Sequence, residues 1–503
     1  MNKITIFFIL SCLIGNIFAQ TVGEEQTAQV FERIKNNPAK LSSFLKAMPK
    51  GGDLHNHISG ASYAENLVKY AEQDNLCVNS KTYTVSVNPA CESQHLLNNA
   101  VKDPTYFDAI IDAWSMRHFY AGLETKHDHF FATFGKFGVI AHKYQGELIA
   151  EDADIAANQN ESYLELMLTL DDGEATHVGK SVGWDPNFVH MRRKLIEANI
   201  VDVAHKMSKN LDAYEAKVSS ILQCGTSQPN KACQVERRYL SQISRSQAPE
   251  AVFAQLLAAF EAASKDSRIV GLNLVQPEDG PVAMRDYVLQ MEMVGYLRRL
   301  YPAVHVSLHA GELDGSIVAP EQMASHIHDA VYIAKTDRIG HGVDIAHENN
   351  SEQLLEWMAK QHIAVEIGLS SNAIILGVEG KTHPLPLYLH YNVPVVISTD
   401  DQGVSRSNLT QEFARAVSAY PLTYLDLKTF SRNSVAYSFL PGKSLWIDHS
   451  YKQVVDVCAD AELGSSMITP NCQQFLNDNQ KAKLQWDLEK RFTTFEAKNN
   501  KSL

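Results

Sequence analysis

The chain has 503 residues, of which 45% are hydrophobic and 20% charged, a composition typical of a globular protein that buries a large core. Its 58 acidic and 45 basic residues give a formal net charge of −13, and the sequence has no block rich in lysine or arginine. A nucleic-acid partner is therefore not expected.

The first predicted element is a secretory signal peptide over residues 1–19. One lysine precedes an apolar run from Ile4 to Phe18, which the small residue Ala19 closes. The run is shorter than the roughly 20 residues that a spanning helix needs, so cleavage is favoured over a membrane anchor. Lipid attachment at Cys12 is the weakest alternative, because the sequence after that cysteine stays apolar. We therefore expect an exported protein, periplasmic or secreted, with no membrane association after cleavage.

Six of the seven cysteines follow this segment, and an even number in an exported chain is typical of disulfides. They fall into three pairs that are close in sequence, although free buried thiols are an alternative. The predicted pairs are Cys77 with Cys91, Cys224 with Cys233, and Cys458 with Cys472.

Eight short apolar segments alternate with helical patterns, which predicts a parallel sheet with crossover helices. The predicted strands lie at 52–58, 163–170, 218–223, 269–275, 304–310, 338–343, 363–368 and 393–399. Eight such units are the number in a (β/α)8 TIM barrel. An open doubly wound sheet normally has a glycine-rich phosphate loop, and the sequence contains neither GxGxxG nor GxxxxGK[ST].

A long insertion separates the first two predicted strands. Its aromatic residues would form either the packing core of its helices or a lid over the C-terminal end of the barrel. They are Trp114, Phe119, Phe130, Phe131 and Phe134. After Asp401 the sequence predicts a C-terminal helical extension, and residues 20–503 are predicted to form a single domain.

Residue types that bind metals recur at the ends of the predicted strands. His55 and His57 are two residues apart on the first strand, so both side chains project from one face. His309 closes the fifth strand and Asp400 follows the eighth. Three imidazoles and one carboxylate suit Zn²⁺ or a similar divalent cation with an open position for water. The alternative for each residue alone is a satisfied polar group.

Further polar residues accompany these candidate ligands. His341 closes the sixth strand, and Asp401 is adjacent to Asp400. Two neighbouring carboxylates are costly to hold ionised without a cation, which independently favours a metal. Glu312 follows His309 by three residues, a position from which it can exchange a proton with a bound substrate.

The segments MPKGGDLHNHISGA, SLHAGEL, RIGHGVD and STDD resemble, in this order, those of adenosine deaminases, which belong to the metal-dependent amidohydrolases. NSVAYSFL at 433–440 is similar to a further stretch of that family. The resemblance implies hydrolysis of adenosine, and of 2′-deoxyadenosine, to the inosine product and ammonia. It also implies one Zn²⁺ per chain, bound by His55, His57, His309 and Asp400.

The resemblance further implies roles for the remaining residues. Glu312 would protonate purine N1, His341 would orient the attacking water and take its proton, and Asp401 would orient the water or bind purine N7. His57 and Ser59 would also lie against the substrate. The substrate-facing residue Gln276 would place its backbone N–H at purine N3.

Departures from the family pattern concern substrate recognition. Ser59 stands where the family commonly has an aspartate that contacts the sugar, Gln276 replaces the last glycine of GxDLxGxE, and EIGLSSN replaces ExCPxSN. The expected partner is a small-molecule purine nucleoside. A deaminase of AMP or of an N6-modified adenosine is the second hypothesis.

A third hypothesis is a non-catalytic, growth-factor-like extracellular binding protein, although Glu312 and His341 are both present. A cytidine-deaminase-type site is excluded because the sequence has no HxE followed by PCxxC. A monomer and a homodimer both remain open.

Overall fold

The computed structural model describes residues 21–87, 96–120, 122 and 124–500. The predicted signal peptide lies outside these residues, as does Cys91 of the first predicted disulfide. The described chain divides into two compact units, Phe31–Leu440 and a smaller one from the described parts of Met1–Val30 and Pro441–Leu503. The single domain over 20–503 stays a prediction.

Eight parallel strands, paired in sequence order, form the sheet of the larger unit. They are β1 Gly52–His57, β2 Tyr163–Leu168, β3 Glu236–Ser244, β4 Ile269–Val275, β5 His305–Ala310, β6 Arg338–His341, β7 Ala364–Ile367 and β8 Val395–Ile397. The sheet closes where His57 N–H donates to Asp400 O at 3.0 Å and Asp400 N–H donates to His55 O at 2.8 Å. The predicted (β/α)8 barrel is confirmed.

The third predicted strand, at 218–223, is wrong. These residues lie mostly in the helix Ile200–Ile221, whose buried residues Val203, Met207 and Leu211 recur at helical spacing. The true third strand, Glu236–Ser244, begins with three charged residues, and an apolar pattern therefore does not reveal it. Arg237 on this strand pairs with Glu215 on the preceding helix at 2.9 Å, which explains the charge.

Helices connect the strands and fill the long insertion after β1. Up to β3, the α-helices are Val22–Ile34, Pro38–Ala47, Ile58–Ala61, Ala64–Gln73, Leu97–Ala100, Pro104–Ala113, Lys126–Lys143, Gln145–Asn158, Glu174–Val182, Phe188–Glu197 and Ile200–Ile221. From β3 to β8 they are Pro249–Ala263, Pro281–Leu300, His326–Asp329, Ser351–Gln361, Leu369–Ile375 and Leu385–His390. The predicted C-terminal helical extension is confirmed by Gln402–Ser405, Leu409–Ala419, Tyr424–Ala436, Pro470–Asp478 and Gln480–Asn500.

Shorter elements complete the chain. The insertion contains an antiparallel pair, Cys77–Val78 with Val85–Ser86. Single helical turns lie at Lys231–Gln234, Pro320–Met323, Ala330–Ala334, Ile345–His347, Gly380–Thr382 and Asp456–Cys458.

The barrel interior contains a buried charged network below the C-terminal strand ends. Arg338 of β6 pairs with Glu165 of β2 at 2.6 Å and with Glu366 of β7. Phe439 covers the guanidinium group, with its ring centroid 3.6 Å from the central carbon. Because each buried charge has an opposite partner, this network can hold a carboxylate ionised inside the barrel.

Two of the predicted disulfides are present, Cys224–Cys233 in the larger unit and Cys458–Cys472 in the smaller one. The remaining predicted pair, Cys77 with Cys91, includes a residue outside the described ranges and stays a prediction. Among the described residues, no helix combines the length and apolarity needed to cross a bilayer.

Candidate active site

Four potential metal ligands converge at the C-terminal end of the barrel. His55 and His57 lie on β1, His309 on β5 and Asp400 just after β8, and all four side chains are buried. The Nε2 atom of His309 lies 3.1 Å from that of His55 and 3.2 Å from that of His57. Asp400 Oδ1 lies 3.4 Å from the Nε2 atom of His55 and 3.3 Å from that of His57. The residues grouped from the sequence are therefore neighbours in space.

Hydrogen bonds at the far side of each ring determine which nitrogen faces the cluster. The Nδ1 atoms bond to Glu366 Oε2 from His55 at 2.7 Å, to Gln242 Oε1 from His57 at 3.0 Å, and to Asn273 Oδ1 from His309 at 2.8 Å. Because each partner atom accepts, each Nδ1 carries the hydrogen. Three Nε2 lone pairs then point at one another, an arrangement that favours a cation between them.

The spacing fits a tetrahedral cation. Ligand atoms about 2.0–2.1 Å from a central Zn²⁺ lie about 3.3 Å apart, close to the separations between these four side chains. Burial lowers the pKa of His57 to about 4 and also lowers that of His309, so both rings are neutral and able to ligate. At His55, contacts with Asp400 and Glu366 outweigh burial and raise the pKa to about 10. A proton on Nε2 would supply this positive charge in the absence of a cation, and a bound cation would replace that proton.

Three residues around the site adopt left-handed backbone conformations that side chains other than glycine rarely take. The φ angles are 61° at Asp400, 67° at His341 and 89° at Gln276. Each residue lies at or just beyond the C-terminal end of a barrel strand. Such strain is typical of functional positions that the surrounding structure holds in place.

Glu312 lies in the loop after β5, beside the ligand cluster. The Glu278 carboxylate accepts hydrogen bonds from the backbone N–H groups of Gly311 at 3.0 Å and Glu312 at 2.8 Å, which fixes this loop. Burial, together with the carboxylates of Asp400 and Glu278, raises the pKa of Glu312 well above its usual range. These influences favour the protonated form of Glu312, which can donate a proton.

His341 and Asp401 complete the group of polar residues. His341 Nε2 lies 3.5 Å from Glu312 Oε1, and the His341 ring is buried. Burial and the adjacent Asp400 raise the pKa of Asp401 well above its usual range. A nearby cation would favour the ionised form of Asp401 and make it a proton acceptor. Its carboxylate packs on Gly60, where an added Cβ would lie 1.8 Å from Asp401 Oδ1.

A cavity of about 160 Å³ opens onto these residues. Its lining includes Ser59, Gln276 and the aromatic residues Phe130, Phe131 and Phe134 of the helix Lys126–Lys143. Of the five aromatic residues of the insertion that were named from the sequence, Trp114 and Phe130 are buried, so the insertion supplies both packing and a wall of the cavity.

A second cavity of about 350 Å³ continues from the first and shares Ser59, Phe134, Gln242, Val275 and Gln276 with it. Its lining is rich in hydroxyl and amide groups, among them Thr169, Thr176 and Ser244. None of the described residues that line either cavity is lysine or arginine.

The residues that support the ligands were not predicted from the sequence. Gln242 lies on β3, whose position was predicted wrongly. Glu366 and Asn273 are single polar residues inside strands that are otherwise apolar, and this interruption was the available signal. Asn372, which bonds to His341, lies in the EIGLSSN segment, and no pattern in that segment indicates its partner.

Known proteins include relatives of this chain. Residues 187–446, just over half of the chain, match the family model described as adenosine deaminase. The adenosine deaminase of Clostridium perfringens is 27% identical over 183 residues, covering 36% of this chain and 52% of the relative. The N6-methyl-AMP deaminase of Danio rerio is 27% identical over 243 residues, covering 45% and 61%. This chain thus spans a little over half the length of each of these curated relatives.

Solved structures share the fold. The N6-methyl-AMP deaminase of Arabidopsis thaliana superposes with a TM-score of 0.50 and 19% identity, covering 80% of this chain and 94% of that one. An amidohydrolase from Burkholderia ambifaria with bound zinc gives a TM-score of 0.50 at 14% identity, covering 97% and 98%. At these identities the likeness concerns the barrel fold alone.

Proposed function

Because this chain belongs to the adenosine deaminase family, we propose that it is a metal-dependent hydrolase that converts adenosine, and 2′-deoxyadenosine, to the inosine product and ammonia. The observation that carries the proposal is the convergence of four buried ligand atoms within 4.8 Å of one another, beside the buried carboxyl group of Glu312. That combination serves attack of water on a carbon whose neighbouring nitrogen takes up a proton.

One Zn²⁺ per chain would be held by His55, His57, His309 and Asp400, in accord with the fit of their spacing to a tetrahedral ion. When bound, this cation supplies Lewis acidity that makes water a stronger nucleophile near neutral pH. Glu366, Gln242 and Asn273 hold the three rings in the ligating tautomer through their Nδ1 atoms.

The side chains around the cluster account for the protons of the reaction. Water oxygen bonds to purine C6 while Glu312 delivers its proton to N1, which takes the electron pair of the C6–N1 double bond. The C6–N bond then breaks and the amino group leaves as ammonia. Of the two water protons, one ends on N1 through Glu312 and the other leaves with ammonia. His341 and Asp401 lie where they would position this water.

The cavity linings support a neutral nucleoside over a nucleotide. A buried phosphate is compensated best by cationic donors, and the described residues that line the two cavities include no lysine or arginine. Asp171, in the second cavity, adds negative charge that would repel a phosphate. Hydroxyl and amide groups of the second cavity instead suit the hydroxyls of a sugar.

The aromatic wall, together with the residues that differ from the family pattern, would determine how the nucleoside binds. Phe130, Phe131 and Phe134 offer apolar surface to a purine ring. Ser59 would hydrogen-bond a sugar hydroxyl. Gln276 keeps the left-handed backbone that suits a glycine, so its N–H would still meet the purine while its side chain narrows the cavity.

AMP and N6-methyl-AMP are the second candidate substrates, favoured by the similarity to the Danio rerio N6-methyl-AMP deaminase. Steady-state ammonia release from adenosine, 2′-deoxyadenosine, AMP and N6-methyl-AMP distinguishes the candidates. We expect kcat/KM to be highest for adenosine and its deoxy form. A higher kcat/KM for either nucleotide would reject the nucleoside assignment.

The lysine variant Thr176→Lys sharpens this comparison, because it places a cation in the second cavity, where Thr176 contributes to the lining. We expect it to raise the kcat/KM of AMP relative to adenosine if the sugar side of the substrate occupies that cavity. An unchanged ratio would place the sugar side elsewhere.

Export, by cleavage after residue 19, is also proposed, and the two disulfides agree with an oxidising compartment. Purine nucleosides are the proposed partners. A homodimer stays open.

A further inference from the structure

A chain of hydrogen bonds runs from a backbone amide to His341. The N–H of Leu385 donates to His383 Nδ1 at 3.1 Å. His383 Nε2 lies 3.0 Å from Asn372 Oδ1, and Asn372 Nδ2 lies 3.0 Å from His341 Nδ1. The three side chains are buried, with exposures of 2%, 0% and 1% in that order, so water does not compete for these bonds.

The hydrogens along this chain follow from its first member. A backbone N–H only donates, so His383 Nδ1 must accept. Burial, with a contribution from Arg415, lowers the pKa of His383 to about 4, so this ring is neutral and its one hydrogen lies on Nε2. That hydrogen bonds to Asn372 Oδ1, so the Asn372 NH2 group faces His341.

The reverse orientation of Asn372 is excluded by the same reasoning. It would set the Asn372 NH2 group against the Nε2–H of His383, which places two donors together in a buried site. Asn372 therefore donates to His341 Nδ1. A neutral His341 then carries its hydrogen on Nε2, the atom that faces Glu312 and the ligand cluster.

We propose that Asn372 and His383 are positioning residues that hold His341 as a neutral Nε2–H donor toward the attacking water. His341 then stabilises the negative charge that develops on the water oxygen and does not take its proton. This differs from the base role that the family resemblance implies for His341. It also keeps His341 out of the metal ligand set, because its Nε2 has no free lone pair.

The water proton needs another acceptor, and Asp401 is the remaining carboxylate that lines the cavity. As the oxygen bonds to purine C6, one water proton moves to Asp401, while Glu312 protonates N1. Asp401 then returns its proton to the departing amino group as ammonia forms. The proton left on the C6 hydroxyl moves to Glu312 and restores its carboxyl group as the C6=O bond forms. This step rests on the proposed function, whereas the hydrogen positions along the chain do not.

Neutron diffraction from deuterium-exchanged crystals of the zinc-loaded protein at neutral pH tests the hydrogen positions directly. We expect deuterium on His341 Nε2 and on Asn372 Nδ2, and none on His341 Nδ1. Deuterium on His341 Nδ1 alone would overturn the proposal. This readout needs no substrate, so it decides the donor assignment even if no purine is deaminated.

The variant Asn372→Asp tests the consequence for the reaction. An aspartate keeps an acceptor for His383 but can only accept from His341, which moves the His341 hydrogen to Nδ1. We expect kcat to fall by about 10²-fold, the loss typical of one donor to a developing oxyanion, with KM and zinc content unchanged. Full kcat in a folded, zinc-loaded variant would overturn the positioning role.

The exposed cap residue Asn187 provides the matched control, because Asn187→Asp adds the same charge and keeps the acceptor for Val189 N–H. We expect its kcat and zinc content to equal those of the unchanged protein. If Asn372→Asp does not fold, the neutron measurement decides the proposal by itself.

Discussion

The two sides of the cavity differ in how closely they follow the family. On the reacting side, His309, Glu312, His341 and Asp400 stand within motifs that resemble those of adenosine deaminases. On the substrate-facing side, Ser59 and Gln276 line the cavity and depart from the family residues.

The reason for the difference is physical. The reacting side is held by buried bonds that tolerate few residue types, such as the Glu278 carboxylate that accepts two backbone N–H groups of the Glu312 loop. The substrate-facing side consists of cavity walls, where a change of shape alters which ligand fits without removing the chemistry. Variants on the reacting side should therefore change rate or metal binding, and variants on the other side should change KM.

The largest effect is expected from Glu312→Gln. The amide keeps the size of the side chain but has no acidic proton to transfer to purine N1. We therefore expect kcat to fall by about 10²–10⁴-fold. Zinc content and thermal stability should be unchanged, which metal analysis and a melting curve check. Full activity of this variant would show that Glu312 is not the proton donor.

A smaller effect is expected from Glu366→Gln. This variant replaces the carboxylate that accepts a hydrogen bond from His55 Nδ1 with a neutral amide. Contacts with Arg338 and His55 outweigh burial and lower the pKa of Glu366 to about 2, so the residue is ionised at neutral pH. We expect zinc affinity to fall by about 10–100-fold, measured by competition with a chelator.

Glu165→Gln is the matched control for that variant. Glu165 pairs with the same Arg338, at 2.6 Å, and it lacks the hydrogen bond to the ligand His55. We expect Glu165→Gln and Glu366→Gln to lower the melting temperature by similar amounts, because both remove a partner of Arg338. Zinc affinity should be unchanged in Glu165→Gln. Equal losses of zinc affinity in both variants would assign the effect to the charged network as a whole.

On the substrate-facing side, Phe134→Ala removes an aromatic wall that both cavities share. If the purine packs on this ring, the loss of about 1–3 kcal/mol of stacking should appear as a higher KM for adenosine. Zinc content and kcat should change little. An unchanged KM would place the purine away from the helix Lys126–Lys143.

The smallest effect is expected from Gln276→Gly. Glycine adopts the φ of 89° without strain, so relief of about 1 kcal/mol should raise the melting temperature slightly. The wider cavity should change the KM values of adenosine and its N6-methyl derivative by different factors. Equal factors for both substrates would indicate that this side chain does not contribute to selectivity.

The candidate metal ligands could be predicted from the sequence more completely than the residues that hydrogen-bond to them. His55, His57 and Asp400 could be grouped because strand ends of a parallel barrel meet at one edge, which sequence order alone predicts. Gln242 could not be found, because its strand begins with charged residues. The third strand was instead predicted at the apolar segment 218–223.

The hydrogen-bond partners of the site residues could not be predicted from the sequence for a different reason. His55 and Glu366 are 311 residues apart in the chain, and no local pattern records which buried polar groups meet. The link from His383 through Asn372 to His341 depends on side-chain orientations that only the folded barrel determines.

The proposed function requires that a zinc ion bound by these four ligands makes the protein a nucleoside deaminase. Metal analysis of the purified chain, together with ammonia release from adenosine before and after zinc removal by a chelator, measures this dependence. We expect one zinc per chain, loss of turnover on removal, and recovery when zinc is restored. Undiminished ammonia release from the zinc-free protein, or a zinc-loaded protein that deaminates no purine, would reject the proposed function.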